Sequence, residues 1–229
     1  MNLGMTRYAA HQPKLRSRDG REFPGYFNDT AGNSSRAVIV MHDFFGLTPQ
    51  VRSVASRLAN AGYLAFAPDL YRGRVAKNRD EAAALAGGLA WNRVAVELGL
   101  VVSTVKQLRP GTRVAALGFA MGGAAALVAA AAVEQLDAAV TFYGIPQDVR
   151  VENKRLRVQG HFAARDTKCT PDRVERFGAA LADAGVAHEL HVYEADNGFC
   201  SVGRTDAYSP EHAEQAWARS IAFLRTSLD

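Results

Sequence analysis

RVAALGFAMGGAAAL, residues 113–127, decides the fold. Its first five residues form a short apolar run bounded by Pro110-Gly111 before it and Gly118 after it, the signature of a buried strand. From Gly122 an alanine-rich stretch to about residue 136 reads as a buried helix, with the longest greasy run, residues 124–133, far short of the roughly 20 apolar residues that span a bilayer. Glycines stand two before and two after Ala120, so a strand turns sharply into a helix around one central residue. That is the context of a nucleophile elbow, in which a strained residue projects from the turn and the next N–H helps hold an oxyanion. The same glycines also suit close strand-to-helix packing with no chemistry attached.

Outward from this segment the pattern repeats. Strands are expected at residues 36–41 (RAVIVM), 63–67, 137–143, 155–161 and 188–193, with an edge strand at 22–27 after a polar lead ending near Gly20. Helices are expected from Thr48-Pro49 to Asn60-Ala61-Gly62, over 80–108 with a break at Gly87-Gly88, over 171–184 and over 210–228. In the last helix Ala213, Ala216, Trp217, Ile221 and Leu224 form an apolar stripe that suits packing on the sheet. Such alternation gives an α/β fold, a mostly parallel central sheet with helices on both faces, and loops at the carboxyl ends of the strands that converge on one crevice.

Composition narrows the function. The chain has 229 residues, 48% hydrophobic and 22% charged, with 20 glycines and 8 prolines, which excludes collagen-like and disordered chains and fits one α/β domain over residues 1–229. The net charge of +4 comes from 27 basic and 23 acidic residues scattered along the chain, so anionic small ligands are tolerated while nucleic acid and membrane are not expected partners. Two cysteines without metal-ligand spacing, and no leader-like N-terminus, suit a reduced, cytoplasmic protein, a monomer or weak homodimer. Neither a phosphate loop nor a dinucleotide fingerprint is present, and no metal or cofactor is implied.

Six segments, taken in order and at their spacing, carry a resemblance: His42-Asp43-Phe44-Phe45-Gly46, Ala67-Pro68-Asp69-Leu70-Tyr71, the elbow with Gly122-Gly123, Tyr143-Gly144, Ala164-Arg165-Asp166 with Pro171, and Tyr193-Glu194-Ala195-Asp196-Asn197-Gly198-Phe199. The chain resembles the dienelactone hydrolase family of α/β-hydrolase-fold enzymes from about residue 36 to residue 224. The resemblance implies a Cys at the elbow centre, where Ala120 stands; a His two residues before the last Phe, where Asn197 stands; an Asp at Asp166; and a Glu where this chain has Asp43. It also implies oxyanion donors at the backbone N–H groups of Phe44 and Met121, and carboxylate-binding arginines for which Arg72, Arg74, Ser201 and Arg204 stand nearby.

A methyl group cannot attack a carbonyl, and an amide does not titrate near neutral pH, so covalent hydrolysis of the family type is expected to be absent. Two functions remain open at this level. One is a repurposed, non-covalent enzyme acting on a small lactone, enol or carboxylate-bearing substrate through the oxyanion donors and the carboxylates of Asp43 and Asp166. The other is a non-catalytic relative that binds a small ligand or a partner protein. In either case Tyr71, Phe44, Phe45 and Phe119 would line the pocket. Cys200 faces the same region or is simply a small buried hydrophobe, Asp196 is an acid or a turn residue, and His42 reads as scaffold.

Overall fold

Strand order, which periodicity does not encode, is what places the crevice. The computed structural model describes residues 15–30, 32–147 and 153–229; the first fourteen residues of the polar lead lie outside them. The elements run β1 (Leu15–Arg16), β2 (Glu22–Phe23), β3 (Gly25–Asn28), β4 (Arg36–Met41), α1 (Pro49–Asn60), β5 (Leu64–Pro68), α2 (Arg79–Gly87), α3 (Trp91–Leu108), β6 (Arg113–Phe119), α4 (Met121–Ala132), β7 (Ala138–Phe142), β8 (Arg157–Ala163), α5 (Pro171–Asp183), β9 (Ala187–Tyr193) and α6 (Pro210–Leu228).

Strands β3 to β9 form one sheet in the order β3-β5-β4-β6-β7-β8-β9, all parallel except β3, which runs antiparallel to β5. Alternate residues of each inner strand feed two separate cores. Ile39 and Met41 pack with α3, α4 and α5, whereas Val38 and Val40 pack with α1 and α6. The chain thus leaves β4 toward one face and leaves the adjacent β6 toward the other. That divergence opens a crevice at the carboxyl ends of these two strands, the usual ligand position in an open parallel sheet. Register brings the ends level, with Met41 opposite Gly118 and Phe119 opposite Phe142.

Most expected elements are found, with local differences that have physical causes. The expected strand 22–27 is split at Pro24, which has no N–H to give a ladder; its carbonyl instead accepts from the Asp69 N–H at 2.9 Å. Residues 22–23 pair with β1 and only 25–28 form the sheet edge. The helical stretch 80–108 breaks at Gly88 into two helices bent by 80°. The helix after the elbow ends at Ala132, four residues before its expected end, where Val133 turns extended. In α6 the buried face is Ala216, Ser220, Phe223, Leu224 and Leu228, so Trp217 and Ile221 lie at its margin, Trp217 beneath the Arg57 guanidinium at 4.4 Å. Among the described residues no single helix is long and apolar enough to cross a membrane.

Candidate active site

Ala120 joins β6 to α4 with φ 50° and ψ −115°, a backbone conformation that side-chain-bearing residues rarely adopt. Its N–H donates to the Phe142 carbonyl at 2.9 Å and its carbonyl accepts from the Ala124 N–H at 3.1 Å, so both neighbours hold the turn in place. Glycines make the turn possible. A Cβ on Gly118 would collide with the Gly122 backbone, one on Gly122 with the Met41 and His42 carbonyl oxygens, and one on Gly144 with the Ala120 carbonyl. The strain at Ala120 has a measurable consequence: Ala120→Gly is expected to raise stability in urea unfolding by about 1 kcal/mol, because glycine reaches this φ without steric cost. Loss of stability in that variant would mean the turn is not strained.

The loop after β4 supplies the other wall. His42 is fully buried; its Nδ1 bonds the Asp43 carbonyl at 2.8 Å and its Nε2 accepts the Leu70 N–H at 3.3 Å. Those roles fix one neutral tautomer, and burial lowers the pKa of the ring, so His42 acts as scaffold. Asp43 accepts the Phe45 N–H at 2.9 Å through one carboxylate oxygen. Burial pushes its carboxyl above the usual carboxylate range despite that bond and the nearby imidazole. Tyr71, held by the Asp69 carboxylate at its N–H (3.1 Å), donates its hydroxyl to the Phe44 carbonyl at 3.2 Å and lies 3.7 Å from the Met121 sulfur. It therefore clamps the loop of β4 to the start of α4. Its hydroxyl is pushed up to about 12, first by burial and then by the Asp43 charge. Among the described residues the N–H groups of Phe44 and Met121 have no backbone acceptor. Two free donors on facing loops, one of them at a helix N-terminus, suit an oxyanion.

Asp166 and Asn197 form the third part. One Asp166 oxygen accepts the N–H groups of Lys168 (2.7 Å) and Cys169 (3.1 Å), and the other accepts the Asn197 amide at 2.6 Å. The remaining expected residues are dispersed. Phe119 stacks on Phe142 with ring centroids 4.4 Å apart, and Ala120, Phe119 and Cys200 border the same core. Burial pushes the Cys200 thiol far up, which disfavours the thiolate. Ser201 donates to Gln50 at 3.1 Å. Two expectations need correction. Of the two readings of Asp196, the structure disfavours the acid, because its exposed carboxylate is bound by Arg165 at 3.0 Å and held below the usual range. Arg72 bonds Glu97 of α3 at 2.6 Å, while Arg74 is exposed and its N–H bonds the Tyr71 carbonyl. The Asp69 turn sends Tyr71 inward and Arg72 outward. A residue not selected from sequence is Tyr143, which is buried at φ 42°, with its hydroxyl pushed well up by burial and by the neighbouring Cys200 and Asp43. Its only sequence signal is its place beside Gly144.

Compared with known proteins, residues 23–228 match the model described as "Dienelactone hydrolase family". The chain belongs to the dienelactone hydrolase family. Among relatives, "Protein usf" of Aquifex pyrophilus is 30% identical, covering 83% of this chain and 88% of that protein. A protein of Aquifex aeolicus named "Putative carboxymethylenebutenolidase" is 31% identical, covering 84% and 88%. The solved structure titled "Putative Dienelactone Hydrolase" from Klebsiella pneumoniae superposes with a TM-score of 0.80 at 28% identity, over 94% of this chain and 97% of that one. Membership of the dienelactone hydrolase family indicates hydrolase chemistry and the α/β-hydrolase fold.

Proposed function

We propose that this chain hydrolyses small activated esters or lactones without a covalent intermediate, with Asp43 as general base and the N–H groups of Phe44 and Met121 as oxyanion donors. The observation that carries this reading is the environment of Asp43: a largely buried carboxylate with its pKa raised by burial, next to the free Phe44 N–H on a loop that packs against the start of α4, where the Met121 N–H is also free. Asp43 takes a proton from water as the resulting hydroxide bonds to the acyl carbon. The tetrahedral oxyanion rests on the two N–H groups, then collapses, and the departing alkoxide or enolate takes the proton from Asp43. A positioned base contributes about 10²–10⁴-fold, and each oxyanion donor about 10²–10³-fold. The result is a slow hydrolase, since the much larger contribution of a nucleophile and imidazole pair is absent.

Hydrolysis of 4-nitrophenyl acetate and dihydrocoumarin tests the reading. Asp43→Asn keeps an acceptor for the Phe45 N–H and is expected to lower kcat/KM by at least about 100-fold, with no burst and no acyl adduct by mass in the wild type. The rate rises with pH through the Asp43 ionisation, which burial moves above the usual carboxylate range. Stability moves the other way. The folded state holds this proton more tightly than the unfolded state, so the associated stability is complete below the unfolded pKa and is lost as pH rises through the folded one. Asp43→Asn, which cannot ionise, is therefore more stable than the wild type at neutral pH. An acyl adduct on Cys200, or full activity in Asp43→Asn, overturns the mechanism.

The alternative of ligand binding without chemistry draws support from Asp166, whose three donors include Asn197, so that the pair is satisfied as a structural link. Under that reading the wild type matches buffer in the same assay.

A further inference from the structure

Away from the elbow, the outward turn of Arg72 leads to a second cavity of about 370 Å³, lined by Arg21, Glu22, Phe23, Arg72 and the 92–100 face of α3. Its two walls differ in character. On α3, Val96 and Leu100 stand one turn apart and are 66% and 37% exposed, an apolar stripe left uncovered beside the buried Phe23 ring. Around it stand three arginines: Arg93 lies one turn before Val96 on the same helix, while Arg21 and Arg72 come from other segments. The two carboxylates of the cavity are already engaged: Glu22 with Arg16, and Glu97 with Arg72. Among the described residues, neither Arg21 nor Arg93 forms a salt-bridge contact, and the Arg21 charge acts on the exposed Asp19 carboxylate without such a contact.

We propose that this cavity is a second ligand site that takes a small monocarboxylic acid with an apolar chain or ring, its carboxylate on Arg21 and Arg93 and its body on Val96, Leu100 and Phe23. Planar guanidinium groups match a carboxylate through paired N–H bonds. The cavity lies within the size range of small-molecule pockets. A dianion such as a phosphate ester fits less well, because Glu22 and Glu97 also line the cavity and repel a second charge. The turn that builds the site is specific: the Asp69 carboxylate accepts the N–H groups of Tyr71 (3.1 Å) and Gly73 (2.6 Å), and holds Arg72 at φ 56° between them. The same turn carries Tyr71 into the elbow crevice, so two adjacent residues serve two sites. The proposal does not depend on the mechanism given for Asp43.

Sodium octanoate, titrated into the full chain while backbone amide shifts are followed, is the direct probe, with octan-1-ol as neutral control. Saturable shifts are expected at residues 21–23, 72 and 92–100. Arg21→Gln combined with Arg93→Gln, both on exposed side chains, is expected to weaken octanoate at least about tenfold. Shifts confined to residues 43–46 and 120–121 would assign the acid to the crevice instead. That result, equal binding of octan-1-ol, unchanged affinity in the double variant, or no saturation at millimolar octanoate each overturns the proposal.

Discussion

Ala120→Cys combined with Asn197→His is expected to raise hydrolysis of 4-nitrophenyl acetate at least about a thousandfold over the wild type and to produce an acyl adduct at residue 120. Each half of the expectation rests on a position in the fold. The backbone at Ala120 keeps the φ of 50° that projects a side chain from the turn, and α4 begins at the next residue, so a thiol placed there sits at a helix N-terminus that favours its thiolate. The Asn197 amide nitrogen and the Nδ1 of a histidine are the same number of bonds from the backbone. A histidine at 197 can therefore donate to the Asp166 oxygen that now accepts at 2.6 Å, leaving Nε2 free to serve the thiol. Asp166 is already oriented by the Lys168 and Cys169 N–H groups, so the acid itself needs no rebuilding. The single variants should gain far less, because a nucleophile and its base act as one unit. A folded double variant with neither rate nor adduct would show that Asp166 and the elbow no longer share one geometry.

The sequence made some of this legible for definite reasons. The run 36–41 is β-branched and nearly all of it is buried, so composition alone marks an inner strand. Pro49 and Gly62 mark helix ends for local reasons: the fixed φ of proline suits a first helical turn, and Gly62 takes the left-handed φ of 92° that ends one. The insertion of β4 between β5 and β6 is not local, and neither is the crevice that follows from it. The resemblance to a family, not periodicity, pointed there. Arg72 shows the limit most clearly. Its position one residue after Tyr71 suggests a shared destination, but the left-handed turn held by Asp69 sends the two side chains apart, and that turn depends on hydrogen bonds whose geometry only the folded chain shows. Tyr143 was legible only as a landmark beside Gly144, since its burial depends on Phe199 and Phe119 arriving from distant segments.

Gly122→Ala is expected to cost more than about 4 kcal/mol in urea unfolding or to leave no folded protein, whereas Gly99→Ala in α3 should be neutral or stabilising by up to about 1 kcal/mol. Both replace a helical glycine, so propensity favours alanine in each case. The difference lies in what the new methyl meets. At Gly99 it finds a Val133 methyl at 3.6 Å, an ordinary contact. At Gly122 it falls on the carbonyl oxygens of Met41, the last residue of β4 and paired with Gly118 of β6, and of His42, whose buried ring is bonded to Asp43 and Leu70, so neither can readily withdraw. Relief would require α4 to lift from β4 or the loop of Asp43 and Phe44 to move. Because that loop and the first turn of α4 carry the two unpaired N–H groups, the missing side chain at 122 is what allows the donors to approach one another. Under the proposed mechanism the glycine has a role of its own, because the two backbone walls must meet for both N–H groups to reach one oxyanion. Equal stability changes in the two variants would separate the elbow's packing from this role.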